Sequence, residues 1–124
     1  MTQQQKDVWE RYVGAWTASS EAGRQAIFAG ALARECVYVD PLVVARGWTE
    51  LSAYIVSFQQ QVPGGRFVTE QFSAHHGRSM ARWKMLDAGG TQLGDGVSFG
   101  VYDDEGRLTA MTGFFDVPGG QPPS

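Results

Sequence analysis

The sequence predicts an α+β domain: a cone-shaped barrel in which a strongly curved, mainly antiparallel sheet wraps around three N-terminal helices. Three observations carry that prediction. Apolar residues recur at helical spacing through the first half of the chain. From Arg66 onward the spacing changes to four strand-like runs, separated by His-His-Gly, Asp-Ala-Gly-Gly and Asp-Asp-Glu-Gly. The strands carry internal glycines (Gly94, Gly96, Gly100, Gly113), which cost stability unless they allow bending or close approach.

Taken in order, Val8, Trp9, Tyr12, Val13 and Trp16 share one helical face, so residues from about 5 to 18 form an amphipathic helix. Ser19, Ser20 and Glu21 signal the start of a second helix running to about Arg34, with a small-residue face of Ala26, Ala29, Gly30 and Ala33. An apolar alternating strand through Val37 and Val39 ends at Asp40-Pro41. A third helix follows, marked by Trp48, Leu51, Ile55, Phe58 and Val62 and stopped by Pro63-Gly64-Gly65. The strands are Arg66 to Ala74, Ser79 to Leu86, Gln92 to Tyr102 and Arg107 to Val117, a meander whose curved face the helices cover. The open end of such a cone is where a pocket lies. Residues 1–117 make a single domain and 118–124, rich in proline and glycine, a flexible tail.

Thirteen acidic against ten basic residues give a net charge of −3, and the basic residues are scattered singly, which argues against a nucleic-acid partner. No apolar run approaches the roughly 20 residues that span a membrane, and the N-terminus lacks the plan of a signal peptide, so a cytoplasmic location is expected. The single cysteine, Cys36, rules out an internal disulfide and sits in an apolar strand as a small core residue. No phosphate loop, nucleophile elbow or zinc motif occurs.

Asp40 is the focal candidate. Proline after it pushes it into extended backbone at a strand end, and the apolar residues around it would make its carboxyl a better base. The competing reading is an aspartate that caps its own turn.

The element order, the passage from Tyr38 to Phe58 with Asp40-Pro41 and Gly47, and the closing run from Phe99 to Phe115 together resemble the nuclear transport factor 2-like superfamily, which includes ketosteroid isomerases and SnoaL-like polyketide cyclases. The resemblance covers residues from about 5 to 117. It implies that Asp40, at the Asp-Pro position, is the base that moves a proton. It also implies that Tyr12, in the run Arg11-Tyr12-Val13-Gly14-Ala15, is the oxyanion donor. The family's second donor is a protonated acid, a pattern described for ketosteroid isomerase. Its position falls on Ser98, or on Val97 if the hairpin holds one extra residue; Asp95 is near but out of register.

The function so implied is binding of an apolar, ketone-bearing small molecule with acid-base isomerisation or cyclisation, which needs no cofactor and no metal. The alternative is a non-catalytic ligand-binding or dimerisation module of the same fold. Tyr12 has the ordinary reading of a helix residue bonded at the core edge. Trp16, Trp48, Phe58, Trp83 and Phe114 are either core or pocket lining, with Ser98 a further substrate-binding candidate. His75 and His76 read as a solvated turn or, for one of them, a proton shuttle. The resemblance favours a homodimer, and small residues on one face of a strand (Gly94, Gly96, Ser98, Gly100) would suit flat packing against a second copy.

Overall fold

A computed structural model describes residues 2–117; the expected tail at 118–124 lies outside them. Helix α1 (Thr2–Gly14) continues through a short 3-10 turn (Ala15–Thr17) into α2 (Glu21–Ala31). The Ser20 hydroxyl accepts from the Gly23 amide at 3.0 Å, the N-cap that the serine pair announces. Strands β1 (Leu32–Asp40) and β2 (Val43–Arg46) precede α3 (Gly47–Gln61), and β3 (Arg66–His75), β4 (Arg78–Leu86), β5 (Gln92–Tyr102) and β6 (Leu108–Phe114) complete the chain.

Three features differ from the sequence expectation. Helix α2 stops at Ala31, because Leu32 turns extended and starts β1 four residues before Cys36. After the turn at Pro41 and Leu42 the next four residues fold back as β2, pairing Asp40 with Val43 and Val37 with Arg46. The sheet is mixed: its order is β2-β1-β6-β5-β4-β3, and β1 runs parallel to β6. The β3 to β6 meander is antiparallel as expected. The sheet stays open, with β2 and β3 as its edges, and the helices cover its concave side.

The first meander turn places His76 and Gly77 at φ 49° and 72° between the paired residues His75 and Arg78, a two-residue turn with both central residues left-handed. Both histidines are exposed, with their Nδ1 atoms 3.2 Å apart.

The core joins Trp9, Tyr12 and Trp16 of the first helical stretch to Phe28, Leu51, Ile55, Leu108 and Met111. Cys36 is part of it, and burial pushes its thiol up to about 11. Buried Arg24 ties α2 to α3 by donating to Ser52 Oγ at 2.9 Å and to the Ala18 carbonyl at 2.8 Å. The small-residue face of β5 turns inward. A methyl on Gly96 would meet the Trp83 ring at 2.5 Å, and one on Gly100 would meet Leu108 at 2.8 Å. That face accommodates bulky neighbours within the chain, which removes it as a surface for a second copy. The outer face of the sheet instead exposes Phe99, Val101 and Phe114, with Phe99 and Phe114 edge to face at 5.8 Å. Among the described residues no helix is long and apolar enough to cross a membrane.

Candidate functional site

The concave side of the sheet and the helices enclose a cavity of about 400 Å³. Asp40 reaches it from the end of β1, and only 8% of the residue is exposed. Its two oxygens have separate partners. Oδ1 accepts from the backbone amides of Leu42 at 2.8 Å and Val43 at 3.2 Å, which closes the Asp-Pro turn. Oδ2 accepts from the hydroxyls of Tyr38 at 2.7 Å and Tyr54 at 2.8 Å. A carboxylate offers about four lone-pair sites, and four donors fill them.

Tyr38 arrives because it lies two residues before Asp40 on the same face of β1. Tyr54 comes from α3, three residues after buried Leu51 and four before Phe58, on the inward face of that helix. Burial, followed by the nearby Tyr12 and Asp40, holds the Tyr38 hydroxyl well above its ordinary range. Tyr54 is raised by burial and then by its bond to Asp40. Both phenols therefore keep their hydrogens and act as donors.

Tyr12 also lines the cavity, one helical turn before Trp16, and burial raises its phenol, with smaller upward pushes from Cys36 and Asp40. Trp83 Nε1 donates to Ser98 Oγ at 2.9 Å.

Aromatic rings form a continuous wall. Trp16, Phe58, Phe67 and Trp83 follow one another at centroid distances of 5.6, 5.2 and 5.2 Å, and Phe115 continues from Trp83 at 6.1 Å. The charged residues lining the cavity are Asp40, Asp95 and Asp116; among the described residues no Arg, Lys or His lines it.

Neither a protein-family model nor a curated protein sequence matches the chain. Solved structures do. A candidate isomerase of the SnoaL-like family from Agrobacterium tumefaciens superposes with a TM-score of 0.85 over 93% of this chain and 99% of that one, at 27% identity. The chain has the nuclear transport factor 2-like fold. Two more distant structures share the fold. They are a nuclear transport factor 2-like protein of unknown function from Mesorhizobium loti (TM-score 0.69, 21% identity, 94% and 93% of the two chains) and a candidate SnoaL-like polyketide cyclase from Jannaschia sp. CCS1 (TM-score 0.75, 12% identity, 93% and 87%).

In this nuclear transport factor 2-like domain the cavity brings together Asp40, Tyr12, Trp16, Phe58, Trp83 and Ser98 from the sequence-derived set. Two others sit elsewhere. Trp48 opens α3 on the far side of β1, where its Nε1 donates to the Ala33 carbonyl at 2.9 Å and the Arg34 guanidinium lies 4.8 Å over its ring. Phe114 is 55% exposed on the outer face; strand alternation gives the inward place to Phe115. The same alternation points Ser98 inward rather than Val97. Tyr38 and Tyr54 are the residues that sequence reasoning missed. Each carried a signal: Tyr38 in its two-residue spacing from Asp40, Tyr54 in its place between Leu51 and Phe58.

Proposed function

We propose that the cavity binds an apolar, ketone-bearing small molecule and catalyses proton transfer on it, an isomerisation or cyclisation without a cofactor. Asp40 takes a hydrogen from the carbon next to the carbonyl, the electron pair moves to the carbonyl oxygen, and Tyr12 donates a hydrogen bond to the charge that develops there. The proton held on Asp40 then returns to carbon. One observation carries the assignment of the donor: of the three phenols lining the cavity, Tyr38 and Tyr54 spend their hydrogens on Asp40, which leaves Tyr12 as the one that the carboxylate does not engage. A donor aimed at developing charge in a dry site contributes several kcal/mol to lowering a barrier. Asp40 becomes a base when one phenol yields its lone pair, and Tyr54, the less buried of the two, is the one that moves. The names of the Agrobacterium and Jannaschia proteins agree with this reaction class.

A second reading rests on the same carboxylate. With four donors on it, Asp40 is also a structural tie, and the domain would then bind its ligand, or a second copy through the outer face bearing Phe99 and Phe114, without turnover. Exchange of the α-hydrogens of 2-tetralone in D2O, followed by proton NMR, separates the two readings without knowledge of the natural product. The catalytic reading expects acceleration by the wild type, a loss of about 100-fold or more in Asp40→Asn and of about 10- to 100-fold in Tyr12→Phe. Binding of the ketone without faster exchange leaves only the second reading.

A further inference from the structure

The turn that joins β3 to β4 carries an inference independent of the cavity, whose lining includes neither of the turn's histidines. Successive residues of a regular strand point to opposite faces, and two histidines so placed cannot reach one ion. His75 and His76 escape that rule. His75 ends β3, and His76 enters the turn with φ 49°, a left-handed backbone that swings its ring back toward its neighbour. The two Nδ1 atoms come within 3.2 Å, with ring planes inclined by 74° and centroids 5.3 Å apart. Both rings are exposed, which leaves room around them for a ligand. In the neutral pair one Nδ1 donates its hydrogen to the other. The turn closes without that bond, because the strands pair at His75 and Arg78 and the Tyr102 amide donates to the Gly77 carbonyl at 2.9 Å.

We propose that His75 and His76 chelate a divalent late transition-metal ion, zinc or copper(II), through their two Nδ1 atoms. Metal–imidazole bonds measure about 2.0–2.1 Å, so two nitrogens 3.2 Å apart subtend an angle of about 100° at a shared ion. That angle lies between the roughly 90° of a tetragonal copper(II) site and the roughly 109° of tetrahedral zinc. The outer torsion of a histidine is broad, so both lone pairs can turn onto that point without moving the backbone. The hydrogen shared between the rings passes to Nε2 of its own ring by exchange with water, which leaves both rings neutral and both Nδ1 lone pairs on the metal. Among the described residues no cluster of three or more histidines, cysteines and carboxylates could hold a metal, so water fills the remaining positions. Two protein ligands hold an ion exchangeably, in contrast to the four of a structural zinc site. Arg78, exposed beside the pair, donates from its guanidinium to the His76 carbonyl at 3.0 Å. Its charge opposes the ion, and salt screens that repulsion at the surface.

The test titrates zinc chloride into the full chain, labelled with nitrogen-15 and free of any polyhistidine tag, at physiological salt. Calorimetry reads affinity and stoichiometry, and long-range proton–nitrogen NMR of the imidazoles reads which nitrogen binds. The wild type should take one ion per chain, with both Nδ1 resonances moving together and both Nε2 atoms carrying hydrogen. His75→Ala and His76→Gly should each weaken binding about tenfold or more, since even the loss of a group that only supports a ligand costs that much. Glycine suits the left-handed backbone at 76, so the second variant keeps the turn. Copper(II) should bind more tightly than zinc and displace it, whereas magnesium, which prefers oxygen ligands, should move neither ring. Nδ1 resonances unmoved at millimolar zinc would reduce the pair to a hydrogen-bonded turn and overturn the inference. Either variant binding zinc as tightly as the wild type would overturn the chelate, because one histidine would then be dispensable. Movement of Nε2 in place of Nδ1, or an equal response to magnesium, would put the ion elsewhere and overturn it as well.

Discussion

The hydroxyl of Tyr54 on α3 donates to Asp40 Oδ2 on β1 across 2.8 Å, joining a helix to the strand end it covers. The bond links stability to the proposed chemistry in opposite directions. Tyr54→Phe deletes a donor to a mostly buried carboxylate and should cost about 1 to 2 kcal/mol in urea unfolding. It also opens a lone pair of the proposed base, so α-hydrogen exchange should hold or rise. A tenfold fall in exchange with unchanged stability would contradict the idea that Tyr54 yields its place.

Asp40→Asn is a harsher change than its shape suggests. The asparagine oxygen can replace Oδ2 and accept from Tyr38 and Tyr54, but its NH2 then faces the amides of Leu42 and Val43, donor against donor. The turn should loosen at a cost of about 2 kcal/mol, read as a lower urea midpoint with little change in slope. Loss of exchange in this variant is therefore judged at temperatures where calorimetry shows it folded.

All four tyrosines have raised hydroxyls: Tyr12, Tyr38 and Tyr54 around the cavity, and Tyr102, pushed up to about 12 by burial against a lowering bond from Ser79. Their neutral forms belong to the folded state, so the stability they supply is complete below the unfolded value near 10 and declines as pH rises through the folded values. Tyr102 alone contributes on the order of 2 kcal/mol. Absorbance of tyrosinate should stay low up to pH 10 and then rise together with loss of near-ultraviolet circular dichroism. Phenols that ionise one by one near pH 10 in a folded protein would refute this.

Much of this architecture is written in periodicities that one element can carry alone. The helical face of Trp9, Tyr12 and Trp16 appears as read, and Trp83 turns inward from its strand. What a single stretch cannot encode is its partner. Strand β2 has only four residues, and the parallel pairing of β1 with β6 joins Val37 to Ala110 across most of the chain. The site was half legible for the same reason. Asp40 and Tyr12 stand out by residue type and motif, whereas Tyr38 looks like one more apolar neighbour until its hydroxyl is seen on Oδ2. Phe114 and Phe115 differ by one position, and only the register of β6 decides which ring faces the cavity.

Two glycines of the curved sheet should respond differently to the same substitution. A methyl on Gly96 would stand 2.5 Å from the Trp83 ring and 2.6 Å from the Phe114 carbonyl oxygen, backbone that cannot step aside. Gly96→Ala should lose about 2 kcal/mol or more. Gly113→Ala meets nothing closer than 3.5 Å and should stay within roughly 0.5 kcal/mol of the wild type. Its methyl nevertheless fills the space shared by Asp40, Tyr38 and Ser98, so ketone affinity should fall while the melting temperature does not. Equal melting temperatures for the two variants would show that the sheet relaxes more than its register implies.

The charge around the cavity selects among ligands of equal size. Its charged lining residues are three aspartates, and among the described residues no cation offsets them. A ligand carboxylate would lie near Asp40 without a guanidinium or ammonium to meet it, and apolar surroundings make that repulsion larger than it would be in water. Bicyclic 2-naphthoate should therefore bind at least tenfold more weakly than 2-tetralone at neutral pH. The gap should narrow as salt screens the solvent-exposed Asp95 and Asp116, yet it should persist, because Asp40 is buried. Equal affinities at low salt would mean that the ligand's polar end lies outside the cavity, away from the carboxylate on which the proposed reaction depends.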